Sequence, residues 1–364
     1  MNTRLFQNHF VRKEIPLDPI WSFHTLNPEE EIKDEFKMIV PGCWESNPKL
    51  ASYKGKAMYS KKVTFGGNIR LVFKGVSHTA YVYLDKKQVA YHYNAYTEFS
   101  VLLQEIPYGE HLLEVKVDNS FHSESALHIS NDYYSYGGIT RPMVVEEIGE
   151  MFIKHIHFIP YQENGKWYAS VSASVSNLLN GPQKVTLQIK VGEDVVSFHD
   201  KVLLPNVETL LESTFEFPSA ITYTLENPKL YTMNAVLLYN NKAVDDIIDR
   251  VGFREIKVSG KDILFNGKKV IIKGVNRHED YAEFGCAIPI EAMYRDIEII
   301  KSLGANCIRT CHYPNDERFL DLCDENGILV WEEAHARGLS EEQMRHKNFE
   351  KQSADCIREM IKTT

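Results

Sequence analysis

The fold is decided by residues 306–330, which read NCIRTCHYPNDERFLDLCDENGILV. A short apolar run at 306–310 is followed by Pro314 and by a helical pattern over 316–326, which Gly327 closes. A second apolar run follows at 328–331. This strand–helix–strand order indicates parallel βα units.

The same alternation extends in both directions along the chain. Upstream, we predict a strand at 270–275 and a helix at 290–303; downstream, we predict a third helix at 349–361. Residues 256–364 would then supply three βα units, whereas a complete (β/α)₈ TIM barrel takes about 250 residues. Three parallel strands alone leave sheet edges and apolar faces uncovered. The sequence therefore predicts a partial TIM barrel, the N-terminal part of the complete domain.

Two all-β regions precede this segment. Residues 1–150 contain short alternating runs that predict an antiparallel β-sandwich, with a hairpin turn at 85–87. Residues 151–255 predict an immunoglobulin-like sandwich. The runs in the first region are 58–65, 70–74, 80–84, 88–93, 98–102 and 111–117, and those in the second are 168–176, 184–191, 195–204, 210–217 and 231–239.

Composition narrows the class of partner. The 364 residues include 41 Lys and Arg against 50 Asp and Glu, a net charge of −9, which argues against nucleic acid and against anionic membranes. The sequence contains neither a signal-peptide core nor an apolar run of roughly 20 residues. We therefore expect a cytoplasmic chain that binds neither nucleic acid nor membrane.

Six cysteines are few for this length, and we expect free thiols. Cys307, Cys311 and His312 suggest a metal site. Consecutive residues of a regular strand face opposite ways, however, so Cys311 and His312 are not expected to share one ion. On that argument we expect no zinc site.

Several motifs, in this order along the chain, resemble the family 2 glycoside hydrolases, which include β-galactosidases, β-glucuronidases and β-mannosidases. The resemblance covers residues 20–364. The motifs are Pro41-Gly42-Cys43-Trp44, Tyr136-Gly137-Gly138-Ile139-Thr140-Arg141-Pro142, Glu226-Asn227-Pro228-Lys229-Leu230-Tyr231, Val251-Gly252-Phe253-Arg254, Lys273-Gly274-Val275-Asn276-Arg277-His278-Glu279 and the 306–330 stretch.

The resemblance implies an exo-β-glycosidase acting on β-D-galactosides or β-D-glucuronides by a retaining, double-displacement mechanism. It also implies a jelly-roll sugar-binding domain over 1–150 and a homo-oligomer at full length. In that family the acid/base glutamate follows the fourth barrel strand and the nucleophile follows the seventh, so both are expected beyond Thr364. We therefore assign no catalytic residue within the chain and predict no turnover by the chain alone. The alternative is a non-catalytic carbohydrate-binding or complementing fragment.

Substrate-binding candidates lie where barrel strands end, because active sites of this fold form there. By resemblance, His312 would bond a sugar hydroxyl and Arg309 would support the pocket's carboxylates; a structural ion pair is the alternative for Arg309. Asp132, nine residues before Arg141, would reach in from the first domain, or would form a turn. The full set of candidates is Asp132, Asn276, His278, Glu279, Arg309, His312 and Glu333.

Two further expectations concern the loop after the third strand. Glu332 and Glu333 are adjacent, so their side chains face opposite ways and do not form a catalytic pair. One of them is expected to face the pocket. In magnesium-dependent β-galactosidases this loop carries a later Glu and His as metal ligands, which the shorter loop at 333–338 lacks. We therefore expect no cofactor, and a magnesium site is doubtful. This weakens the assignment as a metal-dependent β-galactosidase and leaves β-glucuronidase as an alternative activity.

Overall fold

The structure, a computed structural model, describes residues 3–26 and 35–363. Residues 1, 2, 27–34 and 364 of the predicted domains therefore lie outside the described residues. No helix in the described part of the chain is long and apolar enough to cross a membrane.

The first region is an antiparallel eight-stranded sheet whose main path runs β1-β10-β4-β8-β6-β7, with β2 beside β4 and β3 beside β2. Apolar side chains of alternate strand positions form its core. The strands of this region are β1 (Lys13–Ile15), β2 (Ile20–Thr25), β3 (Phe36–Ile39), β4 (Lys56–Phe73), β5 (Val76–Ser77), β6 (Thr79–Leu84), β7 (Lys87–Tyr93), β8 (Phe99–Asp118), β9 (Gly138–Ile139) and β10 (Met143–Ile148).

Two pairs of predicted strands are single long strands in the structure. The runs 58–65 and 70–74 belong to β4 except for residue 74, and the runs 98–102 and 111–117 belong to β8 except for residue 98. The pairing of β4 with β8 shifts register on either side of Gly67, whose φ is +81°. A bulge at such a glycine lets the strand bend without ending. The predicted hairpin turn is confirmed, since Asp85 and Lys86 both have positive φ.

The second region contains seven antiparallel strands in two sheets, β11-β12-β15 and β14-β13-β16-β17, around one apolar core. This arrangement agrees with the predicted sandwich, although β11 and β17 were not predicted. The strands are β11 (Met151–Glu163), β12 (Lys166–Asn177), β13 (Gln183–Val191), β14 (Asp194–Leu203), β15 (Glu208–Glu216), β16 (Tyr231–Tyr239) and β17 (Lys242–Val251).

The third region begins with a small antiparallel sheet and continues as a parallel one, β21-β22-β23. The predicted strand at 270–275 begins only at Gly274, and neither the small sheet nor α3 was predicted. The elements are β18 (Ile256–Ser259), β19 (Asp262–Phe265), β20 (Lys268–Lys269), β21 (Gly274–Arg277), α1 (Ile290–Ser302), β22 (Cys307–Thr310), α2 (Glu317–Asn326), β23 (Leu329–Glu332), α3 (Glu341–Met344) and α4 (Phe349–Thr363).

Local sequence explains α2. The side chain of Asp316 accepts a hydrogen bond from the backbone N–H of Arg318 at the helix start, and Gly327 ends the helix with φ +69°. Buried Phe319 and Leu322 face α1 and β22. This packing holds the parallel sheet against its two helices.

The parallel sheet has two different faces. Val275, Ile308 and Val330 are aligned across the strands and pack against α1 and α2. The next row, Asn276, Arg309 and Trp331, must point the other way, because side chains alternate along a strand. We call this second side the open face; Trp331 on it is 62% exposed.

The first and third regions are joined through buried contacts. Arg141 donates to the backbone oxygens of Tyr96 and Pro314 and to Glu279. The rings of Tyr96 and Tyr313 stack with centroids 3.9 Å apart. These contacts bring the loops of the first region against the ends of β21, β22 and β23.

Candidate functional site

Three predicted residues meet at the ends of β22 and β23. Arg309 donates from Nε and Nη2 to the two oxygens of Glu333, at 2.6 and 3.1 Å. Nδ1 of His312 lies 3.1 Å from Oε2 of Glu333 and 3.1 Å from Nη2 of Arg309. We call Arg309, His312 and Glu333 the strand-end triad. Arg309 thus forms the ion pair that was the alternative to a role in the pocket, and both members of this pair also contact His312.

His278, which follows β21, lies beside this triad. Its ring meets that of His312 edge-to-face, with centroids 5.2 Å apart. Burial and the neighbouring His312 lower the pKa of His278, so its imidazole is neutral at pH 7. A neutral ring offers one donor and one acceptor nitrogen, which suits a ligand rich in hydroxyl groups.

The expectation that Cys311 and His312 face opposite ways is wrong. Ligand atoms of Cys311, His312 and His278 lie within 4.8 Å of one another. The reason is that β22 ends at Thr310, so the alternation of a regular strand does not reach either residue.

The first region supplies the opposite wall through its 130–134 loop. Oδ1 of Asp132 accepts a hydrogen bond from Nη1 of Arg337 at 2.8 Å. The ring of Tyr133 lies 5.5 Å from that of His278 and 6.2 Å from that of His312. Asp132 therefore stands at the rim of the site beside Arg337, with its side chain 69% exposed.

The two adjacent glutamates face opposite ways, as expected. Glu333 points to the open face, and the hydrogen bonds from Arg309 and His312 outweigh the effect of burial and lower its pKa. Glu332 points toward the helices and accepts a hydrogen bond from the backbone N–H of Asn315. Burial raises the pKa of Glu332 to about 7.

Glu279 lies apart from the other predicted site residues, which corrects the expectation that it faces a sugar. Its carboxylate is 2% exposed, and its two oxygens accept from Arg141 and from the backbone N–H of Asp316. Both oxygens are thus occupied by protein donors. Glu279 links the first region to the start of α2.

Asn276 sits on the open face, paired in register with Arg309. Its side chain is exposed, as is that of Trp331 in the same row. The open face therefore presents an amide, a guanidinium and an indole next to the strand-end triad.

Sequence reasoning missed Tyr133, Arg337 and His335. Tyr133 donates to or accepts from Nδ1 of His335 at 3.1 Å, and His335 packs with its ring 4.5 Å from that of His128. Burial lowers the pKa of His335 to about 4. The position of Tyr133 next to Asp132 was a usable signal, whereas nothing local pointed to Arg337.

The chemistry available at this site is hydrogen bonding with fixed charges. The carboxyls of Asp132 and Glu333 both have lowered pKa values, the first through its hydrogen bond from Arg337. Both are therefore ionised near pH 7 and accept hydrogen bonds. Such groups suit binding of vicinal hydroxyls but not donation of a proton at neutral pH.

Comparison with known proteins identifies two matching domain models of one family. Residues 151–254 match the model described as "Glycosyl hydrolases family 2", and residues 256–361 match "Glycosyl hydrolases family 2, TIM barrel domain". The β-galactosidase of Thermoanaerobacter pseudethanolicus is 29% identical over 290 residues, which are 77% of this chain and 37% of that protein. The β-glucuronidase of Streptococcus agalactiae is 26% identical over 362 residues, with 90% and 58% covered.

Solved structures are also similar. A family 2 β-galacturonidase from Eisenbergiella tayi, solved with galacturonate bound, has 51% sequence identity and a TM-score of 0.95, with 99% of this chain and 65% of that chain covered. A β-glucuronidase from Bacteroides uniformis has a TM-score of 0.85 at 21% identity, which indicates a shared fold. The chain thus spans between 37% and 65% of the length of these relatives.

Proposed function

Since the chain belongs to glycosyl hydrolase family 2, we propose that it forms one wall of the sugar pocket of an exo-β-glycosidase. The observation that carries this proposal is the convergence of His278, His312 and the Arg309–Glu333 pair at the ends of parallel strands, with Asp132 at the rim. Active sites of parallel βα folds form at this end of the strands.

The fold part of the proposal is that residues 256–361 are the first three units of a TIM barrel. The matching family description and the exposed row of the open face support it. In a closed barrel, Asn276, Arg309 and Trp331 would point into the interior. By the same resemblance, the first sheet is a jelly-roll sugar-binding domain.

The proposed reaction is hydrolysis with retention. One carboxylate attacks the anomeric carbon while an acid protonates the departing oxygen, and water then hydrolyses the glycosyl-enzyme. The acid needs a raised pKa and a position about 5–5.5 Å from the nucleophile. Within residues 3–26 and 35–363 several carboxyls have a raised pKa. The one that closes β23, Glu332, points away from the open face, whereas Asp132 and Glu333 beside the site have lowered pKa values. We therefore propose that neither catalytic carboxylate is among these residues and that the chain alone does not turn over.

We propose a β-D-uronide as the substrate class, with a galacturonide first. The similar galacturonate-bound enzyme supports this choice. A uronate carboxylate requires a cation, and two guanidinium groups border the site. Arg309 already gives two hydrogen bonds to Glu333, whereas Arg337 gives one to Asp132 and is 40% exposed. Arg337 is therefore the better placed partner for the sugar carboxylate.

We propose that turnover needs no resident metal cofactor. Catalysis by two carboxylates supplies both the proton and the nucleophile. In the 333–338 loop, His335 is buried against Tyr133 and His128.

The test is a fusion of this chain to the part of the Eisenbergiella tayi enzyme that it does not cover. We expect the fusion to hydrolyse nitrophenyl β-D-galacturonide and the chain alone to be inactive. The stereochemistry of the first product, followed by NMR, should show retention. A folded fusion that is inactive on galacturonide, glucuronide and galactoside would contradict the glycosidase proposal. Sugar binding by the chain alone, measured by calorimetry beside an inactive fusion, would favour the carbohydrate-binding module.

A further inference from the structure

We propose that His278, Cys311 and His312 form a binding site for a soft divalent cation, best matched by Zn²⁺. One ligand atom from each residue already lies within 4.8 Å of the other two. Zinc bound at about 2.0–2.3 Å holds its ligands roughly 3.5 Å apart, so closing the site requires shifts of only about 1 Å. Such shifts are within the reach of side-chain rotation.

The donor set suits zinc rather than magnesium. It offers two imidazole nitrogens and one thiol sulfur, while magnesium prefers oxygen ligands. Cys311 is a free cysteine, so its sulfur is not committed to a disulfide. On binding, the Cys311 thiol releases its proton to solvent and the resulting thiolate bonds the metal.

Neighbouring groups orient the two histidines. Nδ1 of His312 contacts Oε2 of Glu333 at 3.1 Å, and Nδ1 of His278 contacts the hydroxyl of Tyr313 at 3.4 Å. A carboxylate on the far nitrogen of a histidine is the usual support for a metal-ligating ring. Glu333 would therefore stabilise the metal-bound form without being a ligand itself.

The fourth position of a tetrahedral site would be left to water or to a ligand. Three protein ligands with one open position are typical of zinc centres that bind water or substrate in the fourth position. His278 is partly exposed, which leaves an approach for the ion from the open face. If the proposed function holds, zinc in this position occupies the sugar-binding wall and inhibits the enzyme.

The binding test uses the 364-residue chain and needs no enzymatic activity. Zn²⁺ is titrated in competition with a chromogenic chelator, and Co²⁺ serves as the spectroscopic probe because thiolate-bound cobalt absorbs in the near ultraviolet. We expect one Zn²⁺ bound per chain and a thiolate–cobalt band, with Cys311→Ser abolishing the band and weakening Zn²⁺ binding at least about tenfold. His312→Gln should weaken binding similarly, and it provides the same information if the cysteine variant does not fold.

The matched control is Cys307→Ser. Cys307 lies on β22, four residues before Cys311 and outside the cluster, and its sulfur contacts the backbone oxygen of Ile308. This variant should retain both the cobalt band and the zinc affinity. The other group of possible ligands, His9, Glu14 and Glu146, has no thiol, so any cobalt bound there would lack the band.

Absence of a thiolate–cobalt band in the parent chain, or equal zinc affinity in the parent and Cys311→Ser, would overturn the proposal. Activity is measured separately, in the fusion: Zn²⁺ should inhibit it and a chelator should reverse the inhibition. A fusion that is inactive while the chain binds Zn²⁺ through Cys311 contradicts the proposed function but leaves the metal site standing.

Discussion

The buried pair Arg141–Glu279 should be the strongest single link between the first sheet and the barrel segment. Nη2 of Arg141 lies 2.8 Å from Oε2 of Glu279, and their side chains are 6% and 2% exposed. Glu279→Gln keeps the size of the side chain and an acceptor for Asp316, but it removes the negative charge. The guanidinium then remains buried without its partner, which costs about 3–5 kcal/mol.

Urea unfolding of the chain, followed by tryptophan fluorescence, measures this loss. With a slope of about 3 kcal/mol per molar urea, the midpoint of the transition should fall by roughly 1–1.7 M. The matched control is Glu110→Gln, which breaks the exposed pair with Lys62 at the same 2.8 Å distance. Because solvent screens an exposed pair, the control should not shift the midpoint measurably.

Two outcomes would refute the reasoning. Equal midpoints for the Glu279→Gln and Glu110→Gln variants would mean that burial does not amplify the charge interaction at Arg141. The second outcome concerns Glu279→Gln introduced into the Arg141→Met variant. If Glu279→Gln still lowers the midpoint strongly there, the loss comes from the hydrogen bond that the backbone N–H of Asp316 donates to Glu279, and not from the charge of Arg141.

Three further predictions address acid stability, the barrel core and substrate choice. Burial lowers the pKa of His78 and of His335 to about 4, so unfolding takes up protons as the pH falls from 6.5 toward 4. The contribution of each histidine to stability is complete above pH 6.5 and is lost over that window, by up to about 3 kcal/mol. Melting temperatures should therefore fall less over this pH range in the His335→Gln variant. Ile308→Ala should lower stability by about 2–5 kcal/mol in urea unfolding because Ile308 is fully buried, whereas Val258→Ala at an exposed position should change nothing. In the active fusion, Arg337→Ala should raise KM for the galacturonide about tenfold and leave KM for the galactoside unchanged, and equal effects on both would contradict the uronate assignment.

In the third region, local sequence predicted the helices better than the strands. The helices at 290–303 and 316–326 were predicted to within a residue or two, because Asp316, Gly327 and the apolar spacing act within a few residues of one another. The strand at 270–275 was misplaced: its apolar residues Ile271 and Ile272 are exposed, and the strand begins at Gly274. Strand ends depend on the partner strand, which the local pattern does not specify.

The candidate site divides in the same way. The prediction that Glu332 and Glu333 would face opposite ways follows from strand geometry, and it agrees with the structure. The placement of Glu279 against Arg141, 138 residues away in sequence, could not follow from either local pattern. A strand-geometry argument also failed for Cys311, because it was applied one residue past the end of the strand.

The sequence by itself determined the order of the three regions, the parallel βα units and the family, since each depends on patterns or motifs within about ten residues along the chain. Only the tertiary structure decided which side chains share a site. Loops from the first region meet the ends of β21, β22 and β23 through buried side-chain contacts. These contacts place Tyr133 and Arg337 at the site and direct the side chain of Glu279 to Arg141. The 306–330 stretch specified a strand end, and the packing of another region against it determined what that strand end can bind.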